Sequence, residues 1–114
     1  MHLPPVHVAI VAFRGTRPLA AAIGKPRQRV QEWARPAADG GRDGEFPDTV
    51  IAREVYQAAK ARGLALSSDA LFFGIDLTPQ EADTIAASMP PQARAAWWPL
   101  LHAPALSPAR QRGR

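Results

Sequence analysis

Between residues 27 and 32 the chain places Arg27, Gln28, Arg29, Gln31 and Glu32 around a single apolar residue, Val30. These side chains suit flat, hydrogen-bonding partners. A guanidinium can donate twice to the edge of guanine, a carboxamide can pair twice with adenine, and a carboxylate can accept from the amino group of cytosine. Glu32 has a second use, pairing with Arg29 or Arg35. That use is the expected one, because an unpaired carboxylate beside phosphates is repelled. Upstream, Thr16, Arg17 and Lys25 stand at or beside expected helix starts, where free backbone amides and positive charge favour phosphate. Capping also explains Thr16, and both roles can hold together.

The elements that must position these residues are short. Leu19, Ala20 and Ile23 form one apolar set, Gly24 follows, and Val30 and Trp33 form a second set three residues apart. Two short helices joined by a tight glycine turn account for that order. Ala20 lets the helices cross closely, and Gly24 supplies the turn's backbone freedom. The long polar side chains are then left facing outward. The pattern is a helix-turn-helix whose second helix is shaped to enter a DNA major groove, with Trp33 as a core anchor rather than a base-stacking residue.

Around this unit the periodicity predicts further helices. Residues 6–13 are rich in β-branched side chains and could form a strand on propensity. Val6, Ile10 and Phe13 nevertheless share one helical face, and Pro5 suits a first turn, so a helix over 5–13 is expected. Gly15 should end it, Thr16 should cap a second helix over 17–23, and a third should run over 27–34. Residues 36–45 read as a turn-rich loop that buries no core. Phe46-Pro47 leads into a helix over 48–62, with Ile51, Val55 and Ala58 or Ala59 inward and Gly63 as its stop. Leu64 and Leu66 should return to the core beside Tyr56. Ser67-Ser68-Asp69 looks like the cap of one short turn ending at Gly74. Thr78-Pro79-Gln80-Glu81 matches a capping box opening a helix over 79–88, stopped by Pro90-Pro91. A sixth segment, 92–102, carries Trp97 and Trp98.

The 114 residues fit one small domain with an appendage. The expected fold is all-α: a small bundle of four to six helices around a helix-turn-helix core. Its expected organisation is a DNA-binding domain over 5–74, a helical extension over 75–102 that is a candidate dimer interface, and a basic tail over 103–114 expected to be disordered. The net charge of +4 is unevenly spread. Residues 1–34 carry Arg14, Arg17, Lys25, Arg27 and Arg29 against Glu32 alone, and residues 35–77 are net acidic. The positive charge therefore sits on the proposed reading unit and at the C-terminal end, which suits a polyanion. With no cysteine, disulfides and thiolate zinc sites are excluded. The apolar run near the start has no basic flank and is too short to span a membrane, so a soluble, cytoplasmic protein is expected.

The run Ala9-Ile10-Val11-Ala12-Phe13-Arg14-Gly15-Thr16-Arg17-Pro18-Leu19-Ala20-Ala21-Ala22-Ile23-Gly24-Lys25-Pro26 resembles the start of the Cro/repressor-like helix-turn-helix domains of phages and proteobacteria. It is most similar to the YdaS-like or carph-isopro-like subgroup. There a glycine-rich turn precedes helix 2, Gly-Lys-Pro precedes helix 3, a tryptophan closes helix 3, and a short Ile-Pro-like element, here Phe46-Pro47, leads into a longer helix. The stretch from Arg62 to Asp69 looks like that group's closing turn, so the resemblance covers roughly residues 6–73. Arg14 stands where the group more often has glycine, and the loop holding Gly40, Gly41 and Gly44 looks longer than usual. The resemblance implies that positions at the start of helix 3 and one turn later face the groove. That carries over to Arg27, Gln28, Gln31 and Glu32, with Arg29 nearby. Arg14 and Arg42 are further phosphate candidates.

The resemblance thus implies a regulator of transcription, of the phage or prophage repressor type, with double-stranded DNA as partner. A unit this small reads few base pairs, so a homodimer on inverted half-sites is expected. Trp97, Trp98, Leu100 and Leu101 then either form the interface or pack on the chain's own core. The alternative reading is a helical protein-interaction module, an adaptor or antitoxin-like partner using Trp97-Trp98. Arg27 and Arg29 on the exposed face of helix 3 speak against it. No cofactor, small-molecule ligand or metal is expected. His2, His7 and His102 are scattered, with His2 and His102 near loose ends, and no nucleophile elbow or phosphate loop is present. Catalysis is not expected, and Ser67 and Ser68 read as caps.

Overall fold

The fold is organised around its first helix, α1 (Pro5–Phe13), in a computed structural model that describes residues 2–89. Seven of its nine residues are buried, and Val11 and Ala12 are half-buried. A helix apolar all round is stable only when enclosed. Four further helices enclose it: α2 (Thr16–Ile23), α3 (Arg27–Ala34), α4 (Thr49–Ala61) and the single turn α5 (Ala70–Phe73). That packing decides the conformation of a segment whose β-branched residues would otherwise favour a strand. The last described helix is α6 (Pro79–Ser88). The chain is mostly helical, as expected of a small all-α bundle. No single helix among the described residues is long and apolar enough to cross a membrane.

Helix ends follow from local chemistry, with two corrections at the first junction. Arg14, not Gly15, closes α1, taking the left-handed conformation at φ 65° while its N–H bonds back to Ile10 and Val11. Arginine thus stands where glycine is easier. Its guanidinium donates to the Ser88 carbonyl at 2.6 Å, which fixes the end of α6 against the end of α1. Gly15, not Thr16, is the N-cap of α2, so Thr16 is already helical and its hydroxyl caps nothing. The axis turns by 96° between α1 and α2. In α4, Asp48 Oδ1 accepts from the Ile51 amide at 2.9 Å, and Ile51, Ala52, Val55 and Ala59 face the core. Its C-terminus closes with Gly63 N–H to Lys60 O at 3.1 Å and Leu64 N–H to Ala59 O at 2.9 Å, a Schellman pair. Leu64, Leu66 and Tyr56 pack on the core as half-buried neighbours. Ser67 Oγ accepts from the Ala70 amide and opens α5. The capping box of α6 is complete: Thr78 Oγ1 accepts from Glu81 N–H at 3.1 Å, and Thr78 N–H donates to Glu81 Oε1 at 2.8 Å.

The loop over 36–45 is not detached from the core, as its composition suggested. It forms one 3-10 turn at Ala37–Asp39, and then Gly44 enters the interior. The Gly44 amide donates to Trp33 O and its carbonyl accepts from Val6 N–H, both at 2.7 Å, tying the end of α3 to the start of α1. Glycine is required there twice over: φ is +83°, and a Cβ would lie 2.5 Å from Pro4 Cβ. Phe46 then meets Trp33 edge-on, with ring centres 5.9 Å apart.

The expected division after residue 74 is not a break in the core. Strand β2 (Ile75–Asp76) pairs antiparallel with β1 (His2–Leu3), His2 opposite Asp76 and Leu3 opposite Ile75. Leu77, Ala82, Ala86 and Met89 join the same apolar cluster as α1. His2 is therefore not at a loose end; its Nδ1 lies 2.9 Å from Asp76 Oδ1. The expected segment over 92–102 and tail over 103–114 lie outside the described residues.

Candidate nucleic-acid interface

Helices α2 and α3 pack directly on each other across the turn Gly24-Lys25-Pro26. Gly24 adopts φ 69°, ψ 33° and returns its amide to Ala20 and Ala21, while Lys25 N–H bonds to Ala20 O at 3.0 Å. A Cβ on Gly24 would meet nothing within 4 Å, so backbone angle alone selects glycine here. Leu19 and Ala20 from α2 and Val30, Trp33 and Ala34 from α3 are buried, and Ile23 is half-buried. Pro26 is the N-cap of α3, an extended residue that brings the chain into the helix without a side-chain cap.

The outer surface is formed by what that packing leaves. Arg17, Lys25, Arg27, Gln28, Arg29, Glu32 and Arg35 are exposed, and Gln31 is half-buried. With Val30, Trp33 and Ala34 facing in, and about 100° per residue, Gln28 and Glu32 lie on the outermost line of α3. Arg29 and Gln31 flank that line on opposite sides. Arg27, at the first helical position, sits toward the Val30 and Ala34 side and is exposed because the helix begins there. Among the described residues, the side chains of Arg17, Lys25, Arg27, Gln28, Arg29 and Gln31 have no intramolecular hydrogen bond or ion pair. Their donors are free for a ligand.

Three side chains depart from the sequence reading. Glu32 forms no ion pair with Arg29 or Arg35; the one such contact among the described residues is His2–Asp76. Arg35 is the C-cap, with extended backbone at φ −73° and ψ 150°, so it leaves the helical face. Arg29 precedes Glu32, the weaker order for a helical pair. Thr16 is only 7% exposed and its hydroxyl oxygen is enclosed without a hydrogen-bond partner. Its side chain is therefore enclosed, whereas Arg17 and Lys25, expected with it on phosphate, are exposed. Arg14 is exposed but engaged with Ser88, and Arg42 is exposed on the loop.

His7 is the residue whose environment the sequence least revealed. It lies on α1 as expected, but is fully buried, and among the described residues neither ring nitrogen has a hydrogen-bond partner. Desolvation by burial lowers its pKa to about 4, so the ring is neutral near pH 7. Its neighbour is the Gly44 backbone, whose Cβ position lies 3.1 Å from His7 Nδ1. Among the described residues no three His, Cys, Asp or Glu side chains come together as a metal site. Comparison of the chain with family models, with curated proteins and with solved structures found no match.

Proposed function

We propose that this chain binds double-stranded DNA sequence-specifically, as a regulator of transcription of the repressor type, with α3 entering the major groove. One observation carries the reading. A tight turn holds α2 and α3 against each other, leaving an α3 surface of unpaired guanidinium and carboxamide groups with one carboxylate. Arg27 and Arg29 on α3, with the exposed Arg17 and Lys25 nearby, outnumber Glu32, so a polyanion is attracted, and the arginine and glutamine heads can pair with purine edges. Gln28 and Arg29 lie on or beside the line that goes deepest into the groove, with Arg27 at the leading end of the helix. Gln31 reads from the flank. Arg17 and Lys25 fix the position on phosphates. Glu32, free on the outermost line, accepts from a cytosine or repels phosphates that approach out of register.

The reading unit covers only a few base pairs, so the functional form is a homodimer on inverted half-sites. Such a regulator works in the cytoplasm, where the DNA is, and needs no cofactor. Selection from random duplexes with the purified full chain tests the reading. An enriched inverted repeat is expected. Absence of any enrichment at low salt would overturn it and favour the protein-interaction module.

A further inference from the structure

The joint between α1 and α2 is two residues long, and both have positive φ: Arg14 at 65° and Gly15 at 147°. Glycine takes such angles freely, whereas a residue with a side chain is strained by them. The other non-glycine residue with positive φ among the described residues is Asp43. That type tolerates the left-handed region, and its carboxylate accepts from the Ala37 amide at 2.7 Å. Arg14 has a distant use instead: its guanidinium donates to the Ser88 carbonyl, 74 residues away. Ser88 ends α6, where carbonyls without helical partners and the negative end of the dipole favour a cation. The helix it ends is otherwise lightly docked. Among the described residues α6 forms no broad seam with any single helix or strand. Its buried side chains are Ala82 and Ala86, with Met89 just beyond, and alanine brings little apolar area. On the other side of the joint, Thr16 and Arg17 open α2, and Arg17 is exposed. One side chain thus connects a lightly docked helix to the first turn of the reading unit.

We propose that Arg14 is a positioning residue for DNA binding, acting through α6. By clasping the C-terminal end of α6 it holds the strained joint, and with it the first turn of α2, in the pose that brings Arg17 to phosphate. The proposal rests on the DNA reading and adds a control element to it. Arg14 then touches no phosphate itself. Helix α6, far from α3 in sequence, becomes an element whose stability is felt at the DNA. Whatever frays α6 weakens binding, and bound DNA protects α6 in return, since the coupling is reciprocal.

Amide hydrogen exchange and DNA titrations on the full-length chain test this, with the duplex that the parent chain selects as probe. Arg14→Asn keeps a residue type that tolerates φ near 65° but is too short to reach Ser88. It is expected to speed exchange of the amides over 82–89 by about fivefold or more and to leave the α4 amides unchanged. DNA binding should weaken by about the same factor, with the slope of its salt dependence kept. Arg14→Lys, a cation of similar reach, should restore most of both. Thr78→Ala removes the cap at the opposite end of α6 and should also lower affinity, with no further loss when combined with Arg14→Asn. Unchanged α6 exchange in Arg14→Asn overturns the proposal, as does unchanged affinity in that variant. A salt slope reduced by about one in Arg14→Asn overturns it too, and makes Arg14 a phosphate contact. A parent chain that selects no duplex fails the DNA reading, and the positioning role falls with it; faster α6 exchange in Arg14→Asn then marks the clasp in the free protein alone.

Discussion

Acid should destabilise this protein through His7, above the range in which carboxylates titrate. The ring is fully buried, has no hydrogen-bond partner, and titrates near pH 4 when folded against an ordinary value of 6.5. The folded pKa lies below the unfolded one, so the unfolded chain binds the extra proton. Stability is therefore complete above about pH 6.5 and falls as pH drops toward 4. At about 1.36 kcal/mol per pH unit, the loss is about 2 kcal/mol at pH 5 and about 3 kcal/mol at pH 4. Against a typical domain stability of about 5–15 kcal/mol that is a large fraction. With urea slopes of about 1–2 kcal/mol/M, the midpoint should fall by about 1–2 M between pH 7 and pH 5. Urea titrations at both pH values, on the parent and on His7→Leu, measure it. The variant should lose most of the pH dependence. An equal midpoint at pH 7 and pH 5 in the parent, or an undiminished shift in His7→Leu, would refute the account of His7 as a neutral, unpartnered core residue.

Other expectations follow from single contacts. Gly44→Ala meets both a positive φ and the Pro4 side chain, so it should lower stability by about 1–3 kcal/mol, read as a fall in Tm. Thr16→Val replaces an enclosed, unpartnered hydroxyl with a methyl group and should be neutral or stabilising by about 1 kcal/mol. Its DNA affinity should match the parent's in gel shifts, and a clear loss would return the Thr16 hydroxyl to the phosphate-facing set. Arg27→Ala should cost roughly 1–3 kcal/mol on the preferred duplex and relax selectivity at one position. Undiminished binding would remove Arg27 from the groove. Lys25→Ala should weaken binding to all duplexes alike and flatten the salt dependence by about one phosphate.

Much of the architecture was legible because it is written in local chemistry. The helices over 5–13, 27–34 and 79–88 have the bounds their periodicity and caps indicate. Gly63 and the Thr78–Glu81 box act within a few residues of themselves, so their role follows from type and spacing. Gly24 belongs to the same group, since its backbone angle alone fixes the turn between α2 and α3. The inward Val30–Trp33 pair, and with it the outward position of Gln28 and Arg29, likewise needs only the helical period.

Tertiary structure decided what depends on residues far apart in the chain. His7 reads as an ordinary helical histidine until Gly44 is brought against its ring and water is excluded. The glycine-rich loop reads as solvent-exposed until its backbone hydrogen bonds to Val6 and Trp33 are made. Thr16 reads as a cap until Gly15 takes that position and the fold encloses the hydroxyl. His2 and Asp76 have no pattern that announces a strand pair across 74 residues. Period and capping are properties of neighbours along the chain; burial, desolvation and strand pairing belong to neighbours in space, and only folding supplies those.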